Sequence, residues 1–381
     1  MQIFLISPYH AGSHKAWAEG YKKHSKHDVE IFSMLGQSWK WRMHGAAVTL
    51  SKQVLAQKSK PDLVLVDDML DLSTFIALTR KQLAGVPFAL YMHENQLLYP
   101  VSPDIEKGPM RRNWGVRERQ YVLINWKSML AADRIYFNSQ FHLNALFAEL
   151  PAFLRHYSDH NEEETVEILA AKSMVLPIAI EYPPSQEITE PMKSTQPQHR
   201  GLPVILWNQR WEFDKNPAGF FAALRQFKIE GGRFKLIVCG ESFQKAPELF
   251  EQAEKEFAAE CLHFGFASRE RYQELLTQSD IVVSTAHHEF FGISILEAIQ
   301  AGAFPLLPNR LSYPELIPAE HHAEIIYEDQ GDLIRKLHAV IELVTFADID
   351  TAAFKKIAYQ YSWQALIGQY DQEFESLTRI H

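Results

Sequence analysis

Short apolar runs rich in β-branched residues alternate with stretches of helical periodicity along the first half of the chain. IFLIS (3–7) precedes a helix predicted from about Ser13, VEIF (29–32) one near 45–57, and DLVLV (62–66) one near 72–83. PFALYM (87–92) ends at His93, and a long helix is predicted near 114–131. RIYFN (134–138) leads into a helix from Ser139, and SMVLP (173–177) closes the series. Near-continuous apolar strands separated by helices predict a parallel sheet covered on both faces. Right-handed crossovers then make it doubly wound.

The pattern breaks at 181–202, EYPPSQEITEPMKSTQPQHRGL, where prolines and polar residues replace periodicity. This composition predicts a linker. A second series comes next: VILWN (204–208), KLIVCG (235–240), a short strand at 262–264, DIVVST (280–285), AFPLLP (303–308) and AEIIY (323–327). The predicted fold is α/β, with two Rossmann-like domains facing each other across a cleft. The predicted boundaries are 1–180, a linker at 181–202, and 203–361. An amphipathic helix in 362–381 is expected to pack back on the first domain. Ligands of such sheets bind beyond the strand C-termini, so chemistry is sought just after strands.

The length of 381 residues suits two domains, and 46% hydrophobic residues give each a core. Cys239 and Cys261 are too few for a disulfide framework, and no CxxC suggests zinc. The start MQIFLISPYH lacks signal-peptide features, and no apolar run approaches a membrane span. A cytoplasmic protein without stable membrane association is expected. The net charge of −9 argues mildly against nucleic acid, but basic residues cluster at Lys22, Lys23 and Lys26 and again at Arg111, Arg112, Arg117 and Arg119. Solvated helix faces and a polyanion-binding surface both fit these clusters.

Four motifs lie just after strands. In STAHHEFFGISILEA (284–298), Glu289 lies before a predicted helix start and Glu297 inside the helix. Gly292, after Phe291, lets backbone approach a ligand, and a helix N-terminus offers amides to an anion. Glu289 suits sugar hydroxyls and Glu297 a ribose. In WNQRWEFDKNP (207–217), Arg210 and Lys215 suit a departing diphosphate, and Asp214 to Pro217 reads as a helix start. In AGSHK (11–15), Gly12 is placed to let amides meet a phosphate, although the loop lacks GxGxxG. MHENQLLYP (92–100) concentrates His93, Glu94, Asn95 and Gln96 at a strand end, with His93 suited to a sugar hydroxyl or to proton transfer. Gly240 and Glu241, just after a strand, are placed to line a base pocket. His287-His288-Glu289 lacks HExxH spacing and an evident third ligand, so no metal is expected.

These features resemble the retaining GT-B glycosyltransferase superfamily. Its paired-glutamate motif matches Glu289 and Glu297, its basic pair Arg210 and Lys215, its first-loop glycine Gly12, and its active-site histidine His93. Ala11 stands where many members carry a second glycine. SWKWR (38–42), HENQLLYP (93–100), FNSQFH (137–142), RWEFDKNP (210–217), HEFFGISILEA (288–298) and YPELIPAE (313–320) look more narrowly like the tRNA-queuosine α-mannosyltransferases. The matches run from AGSHK to SWQAL (362–366) and leave out the linker.

The resemblance implies a GDP-mannose donor, no cofactor or metal, and queuosine-containing tRNA as acceptor, modified on the cyclopentene diol. Anticodon loops present splayed bases, read by stacking and basic contacts. Trp39, Trp41 and Arg42, expected on a loop, and Arg111, Arg112 and Trp114 are candidates for those contacts. So are Glu94, Asn95 and Gln96. A lipid or glycan acceptor, a non-catalytic sugar-nucleotide or RNA-binding module, and a nucleotide-sugar epimerase are the alternatives.

Overall fold

The computed structural model describes residues 1–100, 111–182, 201–241, 248–346 and 351–379, with the backbone alone at 111–118, 345–346 and 351–352. The chain divides into two compact units, Met1–Glu181 with Tyr361–His381, and Tyr182–Gln360.

The first unit holds a six-stranded parallel sheet in the order β2-β1-β3-β4-β5-β6. Its strands are β1 (Gln2–His10), β2 (Asp28–Leu35), β3 (Leu63–Asp67), β4 (Phe88–Met92), β5 (Arg134–Phe137) and β6 (Ser173–Val175). The apolar runs explain the register: Leu5 lies opposite Ile31 on one side and Leu65 on the other. β3 and β4 are wholly buried, as strands covered on both faces must be. Helices Gly12–His24, Leu72–Thr79 and Gln140–Leu154 are among those that cover the sheet. Asp71 and Ser139 cap two of them by accepting from Thr74 N and His142 N.

Two local expectations fail here. The helix predicted near 45–57 runs over Trp39–Leu55, so Trp39, Trp41 and Arg42 form its first turn and are not on a loop. Its start is silent in sequence because Ser38 takes φ 51 and makes no side-chain cap bond, while Gly45 reads as a break inside the helix. A helix Thr165–Ala171 was not anticipated.

The second unit holds another six-stranded parallel sheet, ordered β12-β11-β10-β7-β8-β9. Its strands are β7 (Val204–Trp207), β8 (Lys235–Cys239), β9 (Cys261–Gly265), β10 (Ile281–Val283), β11 (Phe304–Pro308) and β12 (Ile326–Tyr327). In AEIIY only the last two residues are strand, because His322–Ile325 is a short helix. Phe220, Phe221, Phe227, Phe234, Phe250 and Phe257 fill the core beside β7 and β8. Full burial of each such ring is worth about 1.5–3 kcal/mol.

The chain leaves the first unit after Ile180 and returns at Ser362, where the two residues form an isolated parallel bridge. Ser362 caps the helix Trp363–Thr378 through Ala365 N. That helix docks on Gly12–His24. Trp17 Nε1 donates to Tyr370 Oη at 3.1 Å, and Asp371 accepts from Tyr21 Oη at 3.2 Å and Ser25 Oγ at 2.7 Å. Gly20 is required there, since a Cβ would stand 2.2 Å from Trp363 Nε1. Most of the 181–202 segment lies outside the described residues. Its first residue, Glu181, pairs with Lys23, and Tyr182 is buried against Tyr359.

Candidate active site

In the first unit the polar residues gather beyond β1, β3 and β4. β1 ends in Ala11-Gly12, where Gly12 takes φ 51 and opens the helix that carries His14. β3 ends in Asp67-Asp68, and β4 runs into His93. His14 Nδ1 lies 2.7 Å from Asp67 Oδ2, and the His14 and His93 ring centroids are 4.3 Å apart with the planes tilted by 47°. Trp17 and Tyr91 close round His93 at 4.9 and 4.8 Å. All three polar groups are buried. Burial alone would raise the Asp67 carboxyl, but the His14 ring beside it holds it well below the usual carboxylate range. Burial, reinforced by His14, pushes His93 from 6.5 down to about 3. His93 is therefore neutral at physiological pH, and among the described residues neither ring nitrogen has a hydrogen-bond partner. A neutral imidazole keeps one donor and one acceptor for a bound molecule.

The next turn is fixed from below. Asp68 accepts from the amides of His93 and Glu94, at 3.4 and 3.3 Å. Burial, with Asp67 and Glu94 nearby, raises the Asp68 carboxyl well above its usual range. Asn138 Nδ2 donates to the His93 carbonyl at 2.8 Å. Asn95 is fully buried and its Oδ1 accepts from Leu98 N, so it shapes the turn. Gln96 donates from its side chain to Glu94 Oε1 and from its backbone to Asn125 Oδ1.

In the second unit β7 runs into Arg210, and a 3₁₀ turn Phe213–Lys215 precedes the helix Pro217–Ile229. Asn216, at φ 51, caps that helix through Gly219 N, with Pro217 at its first position, so DKNP is a helix start as predicted. Lys215 is buried. Its Nζ donates to the His288 carbonyl at 2.7 Å and lies 3.3 Å from Glu289 Oε2 and 3.4 Å from Asp214 Oδ2. Glu289 Oε1 accepts from the amides of Phe290 and Phe291 at 3.1 and 3.2 Å. Burial would raise the Glu289 carboxyl, but the Lys215 charge and the Phe291 amide outweigh it and keep it low. Burial and the Lys215 charge push His288 down to about 4. Arg210 is half-exposed, 3.6 Å from Glu212, whose carboxyl is raised by burial.

Gly292, at φ 107, turns the chain into the helix Ile293–Ala301, so the amides of that first turn come directly after Glu289. A side chain there would be strained by φ and would meet Leu316 and Tyr313. Glu297 lies on the same helix and accepts from Arg269 Nη1 at 2.9 Å and Tyr272 Oη at 3.1 Å. Asn208, at the end of β7, donates to both Tyr272 Oη and the Ser294 carbonyl. Gly240 permits close passage of two loops, since a Cβ would fall 2.0 Å from the Gln209 carbonyl. The Glu241 carbonyl accepts from Trp211 N.

The structure thus brings Gly12's helix together with His93, Glu94 and Gln96, and it brings Arg210 and Lys215 together with Glu289 and Gly292. Trp39 packs with Tyr121 at 5.2 Å in a cluster with Met43 and Met69, and Trp41 is exposed. Arg42 donates from Nε and Nη2 to the Leu35 carbonyl, which ties the helix start to the end of β2. The side chains of Arg111, Arg112, Trp114 and Arg117 lie outside the described residues. Sequence reasoning missed His14, Asp67 and Asp68. It also missed Asp214, Glu212 and Arg310, whose guanidinium donates to the Ala286 and Thr285 carbonyls. Their signal was position, directly after a strand or one residue beyond a marked motif. His14, Asp67 and His93 bring one ligating atom each within 4.8 Å of one another, which no spacing along the chain foreshadows.

The two sheets are those of the GT-B fold, and the match of residues 190–359 to a glycosyltransferase family makes the chain a glycosyltransferase. Sucrose-phosphate synthase from Thermosynechococcus elongatus superposes with a TM-score of 0.69, 12% identity, and complete coverage of both chains. The catalytic domain of starch synthase IV from Arabidopsis thaliana gives 0.72 at 10% identity over 99% of each chain. Residues 2–180 match the family tRNA-queuosine alpha-mannosyltransferase N-terminal, and 190–359 match Glycosyl transferases group 1. A tRNA-queuosine alpha-mannosyltransferase of Drosophila melanogaster is 34% identical over 88% of this chain and 86% of its own length. The GDP-mannose:cellobiosyl-diphosphopolyprenol alpha-mannosyltransferase of Xanthomonas oryzae pv. oryzae is 23% identical over 46% of this chain and 48% of its own. The chain belongs to the tRNA-queuosine alpha-mannosyltransferase family, and it is a mannosyltransferase.

Proposed function

We propose that this chain transfers mannose from GDP-mannose to a cyclopentene-diol hydroxyl of queuosine in a tRNA anticodon, with retention at the anomeric carbon. The observation that carries the donor half is the buried Lys215–Glu289 pair at the head of the Gly292 helix, with Arg210 beside it. The family membership carries the acceptor half. The second unit binds the donor. Arg210, Lys215 and the first-turn amides neutralise the diphosphate as it leaves. Glu289 accepts from sugar hydroxyls, Glu297 from the ribose, and Gly240 and Glu241 line the base. The first unit takes the acceptor near Glu94, Asn95 and Gln96, and the Gly12 turn meets phosphate. The neutral His93 ring bonds a hydroxyl of the sugar.

The sugar–phosphate bond lengthens first, with positive charge growing on the ring. The acceptor hydroxyl then attacks from the face the diphosphate is leaving, and its proton passes to the departing phosphate oxygen. No protein nucleophile and no metal takes part, because the two cations and the helix amides supply the charge. Among the described residues no helix is long and apolar enough to cross a membrane. A cytoplasmic enzyme acting on tRNA fits that. A lipid-linked acceptor, such as the Xanthomonas relative's name describes, is the second reading.

The test is incorporation of radiolabelled mannose from GDP-mannose into total tRNA with and without queuosine, with and without EDTA. Label that needs queuosine and survives EDTA is expected. Absence of label from both tRNA pools removes the acceptor assignment, and loss with EDTA removes the metal-free mechanism.

A further inference from the structure

The two tryptophans of SWKWR have opposite surroundings. Trp39 is half-buried against Tyr121, but Trp41, two residues on and on the other side of the same first turn, is 63% exposed. It does not project freely. The residue one turn on is Gly45, and a Cβ there would fall 2.6 Å from Trp41 Cε2 and 2.7 Å from Cζ2. The indole is therefore laid on the bare backbone of the helix, one face seated and the other open. A glycine inside a helix is unfavourable, so its presence directly beneath an exposed ring calls for a reason.

Position and charge supply one. Leu35, exposed at the end of β2, is tied to this helix by Arg42. Gly36 lets the same loop press on the Ala11 turn, where a Cβ would stand 2.1 Å from that of Ala11. The ring thus sits at the strand C-terminal edge of the first unit, the edge that also carries Gly12 and His93. Lys40 and Arg42 flank the ring in a stretch, 31–61, that has no Asp or Glu in a chain of net charge −9, while Lys52, Lys58 and Lys60 lie toward the other end of the helix and the start of β3. A flat aromatic face flanked by Lys40 and Arg42 matches a nucleic-acid strand, whose phosphates seek cations and whose unpaired bases seek rings. A membrane fits less well. The other exposed apolar groups of the helix, Val48 and Leu55, come at seven-residue steps, roughly 10 Å apart along the axis, which is sparse for a face lying in lipid.

We propose that Trp41, seated on Gly45, is a shelf on which one unpaired nucleobase of an RNA loop stacks, with Lys40 and Arg42 beside it toward the backbone of that loop. This rests on the tRNA-acceptor reading above and assigns to one ring the recognition of loop over duplex. Trp39 is its structural support and touches no base.

The test is binding of an anticodon stem–loop RNA and of a blunt duplex of equal length to the full chain, by fluorescence anisotropy, with GDP binding as a folding control. Trp41→Ala weakens stem–loop binding by about tenfold or more and leaves the duplex unchanged. Trp41→Phe recovers part of the loss. Gly45→Ala weakens the stem–loop in the same direction with the tryptophan still present. Since alanine is the better helix former, that loss does not come from unfolding. Stem–loop affinity unchanged in Trp41→Ala overturns the shelf and leaves the acceptor reading standing, as does an equal loss on the duplex. A wild-type chain that ignores the stem–loop overturns the acceptor reading itself. Binding of anionic phospholipid vesicles that is lost in Trp41→Ala, with RNA binding unaffected, assigns the ring to a membrane and overturns the proposal.

Discussion

The two units carry the same sheet and opposite electrostatics at its business end. Beyond β4 the first unit keeps His93 buried and neutral, walled by Trp17, Tyr91 and His14, with the His14–Asp67 charge contact set to the side. Beyond β7 and β10 the second unit packs Lys215, Arg210, Asp214, Glu212 and Glu289 into a single ionic knot. In the proposed roles, a ring that bonds neutral hydroxyls needs desolvation and orientation, and a group that receives a departing diphosphate needs charge already in place. On that reading the repeated fold divides the labour through the loops at its strand ends.

The comparison breaks most severely at Lys215. Lys215→Ala leaves Asp214 and Glu289 without their cation. It is expected to cost about 3–5 kcal/mol of stability as a broken buried pair and roughly 10²–10³ in kcat as a lost electrostatic stabiliser. Denaturant titration and donor turnover read the two separately, and a kcat near wild type removes Lys215 from the chemistry.

Acid tests the neutral side. The folded-state values of His93 and His288 lie below the ordinary 6.5, at about 3 and about 4. Below pH 6.5 the unfolded chain takes up protons that the folded chain refuses. The stability these neutral rings contribute is therefore present above pH 6.5 and lost as pH falls toward those values. At about 1.4 kcal/mol per unit per group, the two together account for on the order of 4 kcal/mol by pH 5. Urea midpoints at pH 7.5 and pH 5 measure this, and His93→Gln is expected to halve the slope. An unchanged slope in that variant places the proton elsewhere.

His93→Ala is expected to lower kcat by about 10²-fold. The wild-type rate is expected to show no ionisation from His93 near pH 6.5, because that ring is already neutral. An essential base titrating near 6.5 that vanishes in the variant contradicts the buried, uncharged ring.

The smallest effect sharpens the outer edge of the ionic site. Tyr272→Phe removes the hydroxyl that links Asn208 to Glu297. One such hydrogen bond is worth about 1 kcal/mol, so the KM for the sugar nucleotide is expected to rise about fivefold with kcat held. A change in kcat alone argues against a ribose contact by Glu297.

Much of the layout was readable because buried parallel strands announce themselves. β3 and β4 are LVLVD and FALYM, and each chemical motif came after such a run. The DKNP start was readable because Asn and Pro have fixed uses at a helix N-terminus. The start at Trp39 was not readable, since Ser38 sits in the left-handed region without capping and Gly45 imitates a break. His14 and Asp67 were not readable either. They meet only when β1 and β3 lie side by side, and nothing local relates residues so far apart in the chain. The split between Trp39 and Trp41 is a matter of which side of a helix faces Tyr121, which required the helix to be known first.

The returning helix Trp363–Thr378 sets the order in which the molecule is born. Its Tyr370 and Asp371 complete the packing around Trp17 and Tyr21, yet it leaves the ribosome only after the whole of Tyr182–Gln360. At about 5–20 residues per second, the first-made unit waits roughly 10–40 s for its last element. The later-made unit, contiguous in sequence, meets no such delay. Synthesis therefore runs against the usual order of maturation, and the nascent first unit spends that interval with the Trp17 surface uncovered.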